Sequence, residues 1–269
     1  MTPEKTPQTP RPPQTTPRTA PDDAGTLPEG SVIVVAGAGG PAGQAAVARL
    51  GRAGAIIEAA DADEKRLADA VALAPPGRAH GRVVDLSGPT ATRAWAEDVE
   101  RRHGRVDGVV HLVGGWRGGK EFGDNTADDW ALLHNLLIRT AQNTSLAFHD
   151  ALARAPRGRF VLVSATAAAR PTAGNAGYAA AKAAAEAWTL AMADSFRRIR
   201  AESAPTEAAD GPAAAILVVK ALVWPALRTE RPDAKFPGYT DVADLADEIA
   251  TLWSRPTDDV NGRRLCPTQ

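Results

Sequence analysis

The sequence predicts an α/β protein built on one doubly wound parallel sheet. Three observations carry that reading. From Gly30 onward, short apolar runs alternate with Ala-rich helical stretches, the pattern of repeated βαβ units. The first run, Ser31 to Ala36 (SVIVVA), has no polar side, as a strand buried on both faces requires. It leads straight into a glycine cluster and then a helix.

The elements follow in order. Strand one ends at Ala36, and a helix is expected over about 41–52. A second strand near Ala55–Ala60 closes at Asp61, and a helix rich in Ala, Glu, Lys and Arg covers about 62–74. A third strand is placed near Arg82–Asp85, followed by a helix from near Pro89 to near His103. Strand four, Val106–Val113, runs into Gly114-Gly115. A long helical stretch spans about 127–155, and strand five is Arg159–Ser164. A helix over about 175–200 carries Tyr178. A polar loop at 203–212 precedes strand six, Ala213–Val219. A loop with Trp224, Pro225 and Pro237, a helix over about 241–254 and a short strand near Arg263–Cys266 complete the domain. The total is about seven strands with helices on both faces, a Rossmann-type fold.

Residues 1–28 differ. They hold eight of the 21 prolines and almost no large apolar side chains, so they are read as a disordered tail ahead of one domain over 29–269. With 31 basic and 32 acidic residues the net charge is −1, which gives no basic field for nucleic acid or an anionic membrane. No apolar run has the length of a membrane span, and the opening residues lack the apolar core of a secretory signal. One cysteine, Cys266, excludes an internal disulfide and fits a cytoplasmic location. The five histidines are scattered, so no metal site is expected.

The turn Gly37-Ala38-Gly39-Gly40-Pro41-Ala42-Gly43 sits where strand one meets its helix. Glycines allow a tight turn and close approach of a pyrophosphate, while the helix N-terminus offers free N–H groups to the anion. Pro41 suits the first helical turn. Asp61, 18 positions beyond Gly43, is placed to accept the adenosine ribose hydroxyls and to repel a 2′-phosphate, which favours NAD(H) and leaves NADP(H) possible. A helix cap is the other reading of Asp61. Lys65 and Arg66 lie close enough to soften the discrimination. Asp85 can accept from an adenine amino group.

Tyr178 and Lys182 (YAAAK) lie four apart in the Ala-rich helix, on one face. A free tyrosine has a pKa of about 10. A neighbouring ammonium is expected to lower it, so that Tyr178 exchanges a proton with substrate.

With these residues the chain resembles the short-chain dehydrogenase/reductase family over about 30–265. The resemblance rests on Gly37 and Gly43, Asp61, Asp85-Leu86, Val113-Gly114 and the Tyr178/Lys182 pair. It implies a seven-stranded parallel sheet, a nicotinamide cofactor held in part by Lys182, and homodimers or homotetramers built through the long helices. Departures are informative. Pro41 replaces the middle glycine of the family turn, and His111-Leu112-Val113-Gly114 replaces NNAG. Ala165 stands at the serine position, flanked by Ser164 and Thr166, either of which could substitute. The relay asparagine falls near Leu137, and Lys220-Ala221 replaces the Pro-Gly after strand six. Gly114-Gly115-Trp116-Arg117-Gly118-Gly119 resembles the GGWxGG stretch of the dihydropteridine-reductase-like branch. There Trp116 either stacks on a planar substrate or plugs the substrate loop. The leading expectation is an NAD(P)H-dependent reductase of a conjugated or quinonoid C=N or C=O group in a small molecule, with Tyr178 as proton donor. A secondary-alcohol dehydrogenase or ketoreductase and a non-catalytic dinucleotide-binding protein are the alternatives.

Overall fold

The computed structural model describes residues 27–202 and 210–267. The expected tail therefore lies almost wholly outside the described residues, as does most of the loop at 203–212.

Seven parallel strands form the main sheet: β1 (Val32–Ala36), β2 (Ile56–Asp61), β3 (Ala79–Val83), β4 (Gly108–His111), β5 (Arg159–Ala165), β6 (Ala213–Val219) and, far along the chain, β9 (Arg264–Leu265). Their order is β3-β2-β1-β4-β5-β6-β9. The chain steps outward from β1 to β3, then returns to lay β4 against the free side of β1 and builds the other way. The gap between β1 and β4 is the switch point at which open α/β sheets bind ligands.

The helices are α1 (Pro41–Arg52), α2 (Glu64–Val71), α3 (Pro89–His103), α4 (Ala127–Leu133), α5 (Thr140–Arg154), α6 (Ala176–Glu202), α7 (Pro225–Glu230), α8 (Val242–Thr251) and α9 (Thr257–Val260). Side chains alternate across each strand, so β1 feeds two cores. Val32, Val34 and Ala36 pack with Trp95 of α3, Phe148 of α5 and Phe196 of α6. Ile33 and Val35 pack with Leu50 of α1 and with Leu245 and Ile249 of α8.

Two expectations are corrected, the third strand and the loop after β6. β3 lies at 79–83, not 82–85: it is an edge strand with β2 as its one partner, so polar residues suffice there, and the apolar Val84 and Leu86 instead turn into the core beyond its end. The helical stretch expected over 127–155 is present without interruption, winding as a π-helical segment over His134–Arg139 between α4 and α5. A two-stranded ribbon, β7 (Leu222–Val223) with β8 (Thr240–Asp241), folds the loop after β6. Leu27 is buried in the same core cluster as Ile33 and Ile57.

Candidate active site

The glycine turn after β1 is pressed against the exit of β4. Gly37 has a φ of +83°, and a Cβ there would lie 2.7 Å from the Val113 amide nitrogen. A Cβ on Gly43 would lie 2.3 Å from the Gly37 carbonyl oxygen, so α1 packs directly on the turn. α1 starts with Pro41 after Gly40, with no capping side chain and no acidic residue in its first turn. Its N-terminus is left for an anion.

Asp61 closes β2 beside this turn. One carboxylate oxygen accepts from the Gly39 amide at 2.9 Å; the other accepts from the Asp63 amide at 3.0 Å and the Arg66 guanidinium at 3.3 Å. Asp63, not Asp61, caps α2 by accepting from the Arg66 amide, which removes the capping alternative. A cleft of about 330 Å³ runs from this corner across the switch point, lined by Gly37, Gly40, Asp61, Arg66, Asp85, Leu86, Val113 and Gly114. Its far wall is Leu132, Asn135, Leu136 and Thr140. The Asp85 carboxyl accepts from the Ser87 amide at 2.9 Å, and hydrogen bonding to Ser87 holds it below the usual range. A glycine cradle that side chains would fill, an uncapped helix start and a carboxylate at the end of β2 fit a dinucleotide.

Tyr178 and Lys182 stand together on α6 above the end of β5, the Lys182 ammonium 5.9 Å from the ring centre. Lys182 is 6% exposed and donates to the Val163 carbonyl at 2.9 Å. Burial pushes its pKa down to about 8, against the carboxylate of Glu186 one turn along, which raises it. The expected lowering of the Tyr178 phenol does not occur: burial raises it.

A buried polar layer lies beside the pair. The Thr140 hydroxyl donates to the Leu136 carbonyl at 2.7 Å, so it accepts from Nε2 of His111 at 3.2 Å. Burial, with Lys182 nearby, pushes the His111 pKa down to about 3, so near neutrality the ring is uncharged and, with the proton on Nε2, its Nδ1 is bare. Among the described residues, His111 Nδ1, Thr144 Oγ1 and Ser164 Oγ are buried without a partner. Ser164 is 1% exposed, and its face of β5 carries Phe160 and Leu162 into the α5–α6 core. Ala165 points the other way. Thr166 is exposed, at the start of a 3₁₀ turn (Thr166–Ala168) packed on α6.

Trp116 lies on the segment between β4 and α4, 53% exposed and outside the cleft wall. The cleft residues on α4 and the π segment went unrecognised in the sequence because a Leu-rich amphipathic stretch reads only as core. Asn125, which bonds the Trp116 segment to the start of α6, carries no spacing signal at all.

A family model described as short chain dehydrogenase matches residues 31–204. Among curated proteins the chain is similar to a meso-2,3-butanediol dehydrogenase of Serratia marcescens, 30% identical over 38% of this chain and 40% of that one. It is also similar to the 3-oxoacyl-acyl-carrier-protein reductase FabG of Pseudomonas aeruginosa, 30% identical over 61% of this chain and 67% of that one. The match to the first thus spans well under half of that relative's length. Among solved structures, a gluconate 5-dehydrogenase from Burkholderia cenocepacia in complex with NADP and tartrate superimposes with a TM-score of 0.71 at 22% identity, over 88% of this chain and 93% of that one. The matched segment covers more than half of the chain and contains both the glycine turn and the Tyr178/Lys182 pair, so this protein belongs to the short-chain dehydrogenase family.

Proposed function

We propose that this chain is an NADH-dependent reductase of a conjugated or quinonoid C=N or C=O group in a small molecule, with Tyr178 as the proton donor. The observation that carries the reading is the state of Tyr178. It stands beside Lys182 on α6, and burial raises its phenol, so near neutrality the side chain stays protonated and holds a proton for the anion that forms as hydride arrives. Lys182 is fixed to the Val163 carbonyl and serves as a positively charged support behind the ring and as a donor to the nicotinamide ribose. Gly37, Gly39, Pro41, Ala42 and Gly43 receive the pyrophosphate, Asp61 the adenosine ribose, and Asp85 and Leu86 the adenine. Val113 and Gly114 cover the middle of the cofactor. When bound, the nicotinamide supplies the hydride. Alanine at position 165 offers no hydroxyl to polarise a carbonyl, which favours an acceptor that already draws electrons. Trp116 offers such an acceptor a flat ring.

A second reading, a ketoreductase or secondary-alcohol dehydrogenase, draws on the activities that the two curated relatives' names state. In it Thr166, exposed beside α6, or Ser164 supplies the missing hydroxyl. As a further part of the proposal, the protein is cytoplasmic and self-associates as a homodimer or homotetramer through α5 and α6, where Leu146 and Leu190 are exposed. No described helix is long and apolar enough to cross a membrane.

The test is NADH oxidation against quinonoid dihydropterin, quinones, cyclic imines and ketones. Tyr178→Phe keeps the ring and deletes the donor, so turnover should fall by about 10²–10⁴ with NADH affinity unchanged. Lys182→Ala should lower both. Thr166→Ala and Ser164→Ala should each cost less than about tenfold, or about 1.4 kcal/mol. A loss at either one matching that of Tyr178→Phe would favour the ketoreductase reading. Full activity in Tyr178→Phe would refute the assignment.

A further inference from the structure

The segment that follows β4 is folded onto the turn that precedes α6, and the contacts run in both directions. The Gly119 amide donates to the Gly174 carbonyl at 2.8 Å. A Cβ on Gly118 would fall 2.4 Å from the Gly174 carbonyl oxygen, and one on Gly174 would fall 2.1 Å from that of Gly119. The two backbones therefore touch along a line where only glycines fit.

Asn125 fastens the other end. Its side-chain amide donates to the Phe122 carbonyl at 2.8 Å and to the Ala173 carbonyl at 2.9 Å, while its oxygen accepts from the Gly177 amide at 3.2 Å. Gly177 immediately precedes Tyr178. Between the two fixings, the Asp124 carboxylate accepts from the amides of Lys120 and Glu121, at 2.7 and 2.9 Å, and keeps the segment folded on itself. Gly115 is seated against the Leu136 side chain. The edge of the Trp116 ring lies over Gly118, 3.0 Å from where a Cβ would stand. One continuous run of contacts thus links the Trp116 ring, Gly118, Gly174 and the first turn of α6.

We propose that Asn125 is a positioning residue that rivets the Trp116 segment to the first turn of α6, making that segment a fixed wall for a flat ring-bearing acceptor. The substrate role of the wall rests on the reading of Tyr178 as proton donor; the rivet itself does not. A fixed wall holds the planar acceptor at one distance from the phenol without spending ordering entropy at each binding event. The free aromatic surface is Trp116, with Phe122 on the same segment 72% exposed.

The probe is 2,3-dimethyl-1,4-naphthoquinone, a fused-ring acceptor blocked at both ring positions that would otherwise alkylate the exposed Cys266. Diacetyl serves as a small acyclic comparison. In Asn125→Ala, amide hydrogen exchange at 114–126 and at 172–178 should rise together by about tenfold or more. Quinone affinity, read from the fluorescence quenching that Trp116→Phe removes, should fall by about tenfold, with NADH affinity and the response to diacetyl within twofold. Asn125→Asp keeps the oxygen on Gly177 and loses both donors, so it should loosen 114–126 with a smaller effect at 172–178. Gly118→Ala, which forces the backbones apart, should reproduce the affinity loss even if Asn125→Ala folds poorly. Unchanged exchange, or a rise confined to 114–126 in Asn125→Ala, would overturn the rivet. Coupled exchange with unchanged quinone affinity would overturn the wall. Neither result depends on turnover, so a failure of the Tyr178 assignment is seen separately.

Discussion

His111 is a histidine whose proton has been assigned by its neighbour. Thr140 takes the Nε2 hydrogen, and nothing among the described residues donates to Nδ1. Its pKa of about 3 lies below the ordinary 6.5, so the unfolded chain binds a proton between those values that the folded chain refuses. This contribution to stability is complete above pH 6.5 and is lost as pH falls toward 3. Urea unfolding at pH 7 and pH 5 should show His111→Gln losing about 2 kcal/mol less across that interval than the parent. At the ribose corner, Asp61→Ala should narrow the preference for NADH over NADPH, as titration by cofactor fluorescence would show. Arg66 then remains as a cation freed from its carboxylate, so NADPH should gain affinity as NADH loses it. Tighter binding of NADPH by the parent would reverse the cofactor assignment. Asp61 ends β2 as the sequence implies, whereas Asp85, expected to end the third strand, lies two residues beyond β3. The fate of the Tyr178 phenol was not legible, because burial is a property of the packed helix and no interval in the sequence encodes it.

Strand β5 enters the sheet on a buried arginine. Arg159 is fully buried and donates to the carbonyls of Leu252 and Gly211 and to the Thr257 hydroxyl, at 3.2, 2.6 and 3.2 Å. It fastens the start of β5 to the loop joining α8 and α9. Arg159→Met fills the space but leaves the Leu252 carbonyl without this donor and the Gly211 carbonyl with the Thr257 hydroxyl alone, so it should cost about 1–3 kcal/mol in chemical unfolding. A loss below about 1 kcal/mol would show that those carbonyls find other donors. Elements buried on both faces, such as β1 and β6, were read nearly to the residue because nothing polar interrupts them. β3 was misplaced for the opposite reason: at a sheet edge the polar Ala79–Val83 forms the strand, while the apolar residues that attract the eye lie just past it. The π segment at 134–139 left no trace in periodicity. It is a local change of winding within a stretch whose side chains remain those of a helix.

At the scale of the molecule, Leu27 is the first described residue and is already buried in the core. A chain starting at Leu27 should keep the full melting temperature, since the preceding sequence is rich in Pro and Thr and poor in large apolar side chains. Leu27→Ala in the full chain should lower it by about 4–10 °C, from roughly 2–3 kcal/mol of lost packing. Equal melting of the Leu27→Ala chain and the parent would leave the boundary at Glu29. The strand order has a further consequence, in time. β1 is complete at Ala36, but the neighbour that covers its second edge ends at His111. At ribosomal rates of roughly 5–20 residues per second, the roughly 75 residues between them take about 4–15 seconds to emerge. For that interval the nascent chain holds β1, β2 and β3 with one buried-type strand edge still open, and the last strand residue to pair along it is the histidine beneath the candidate site.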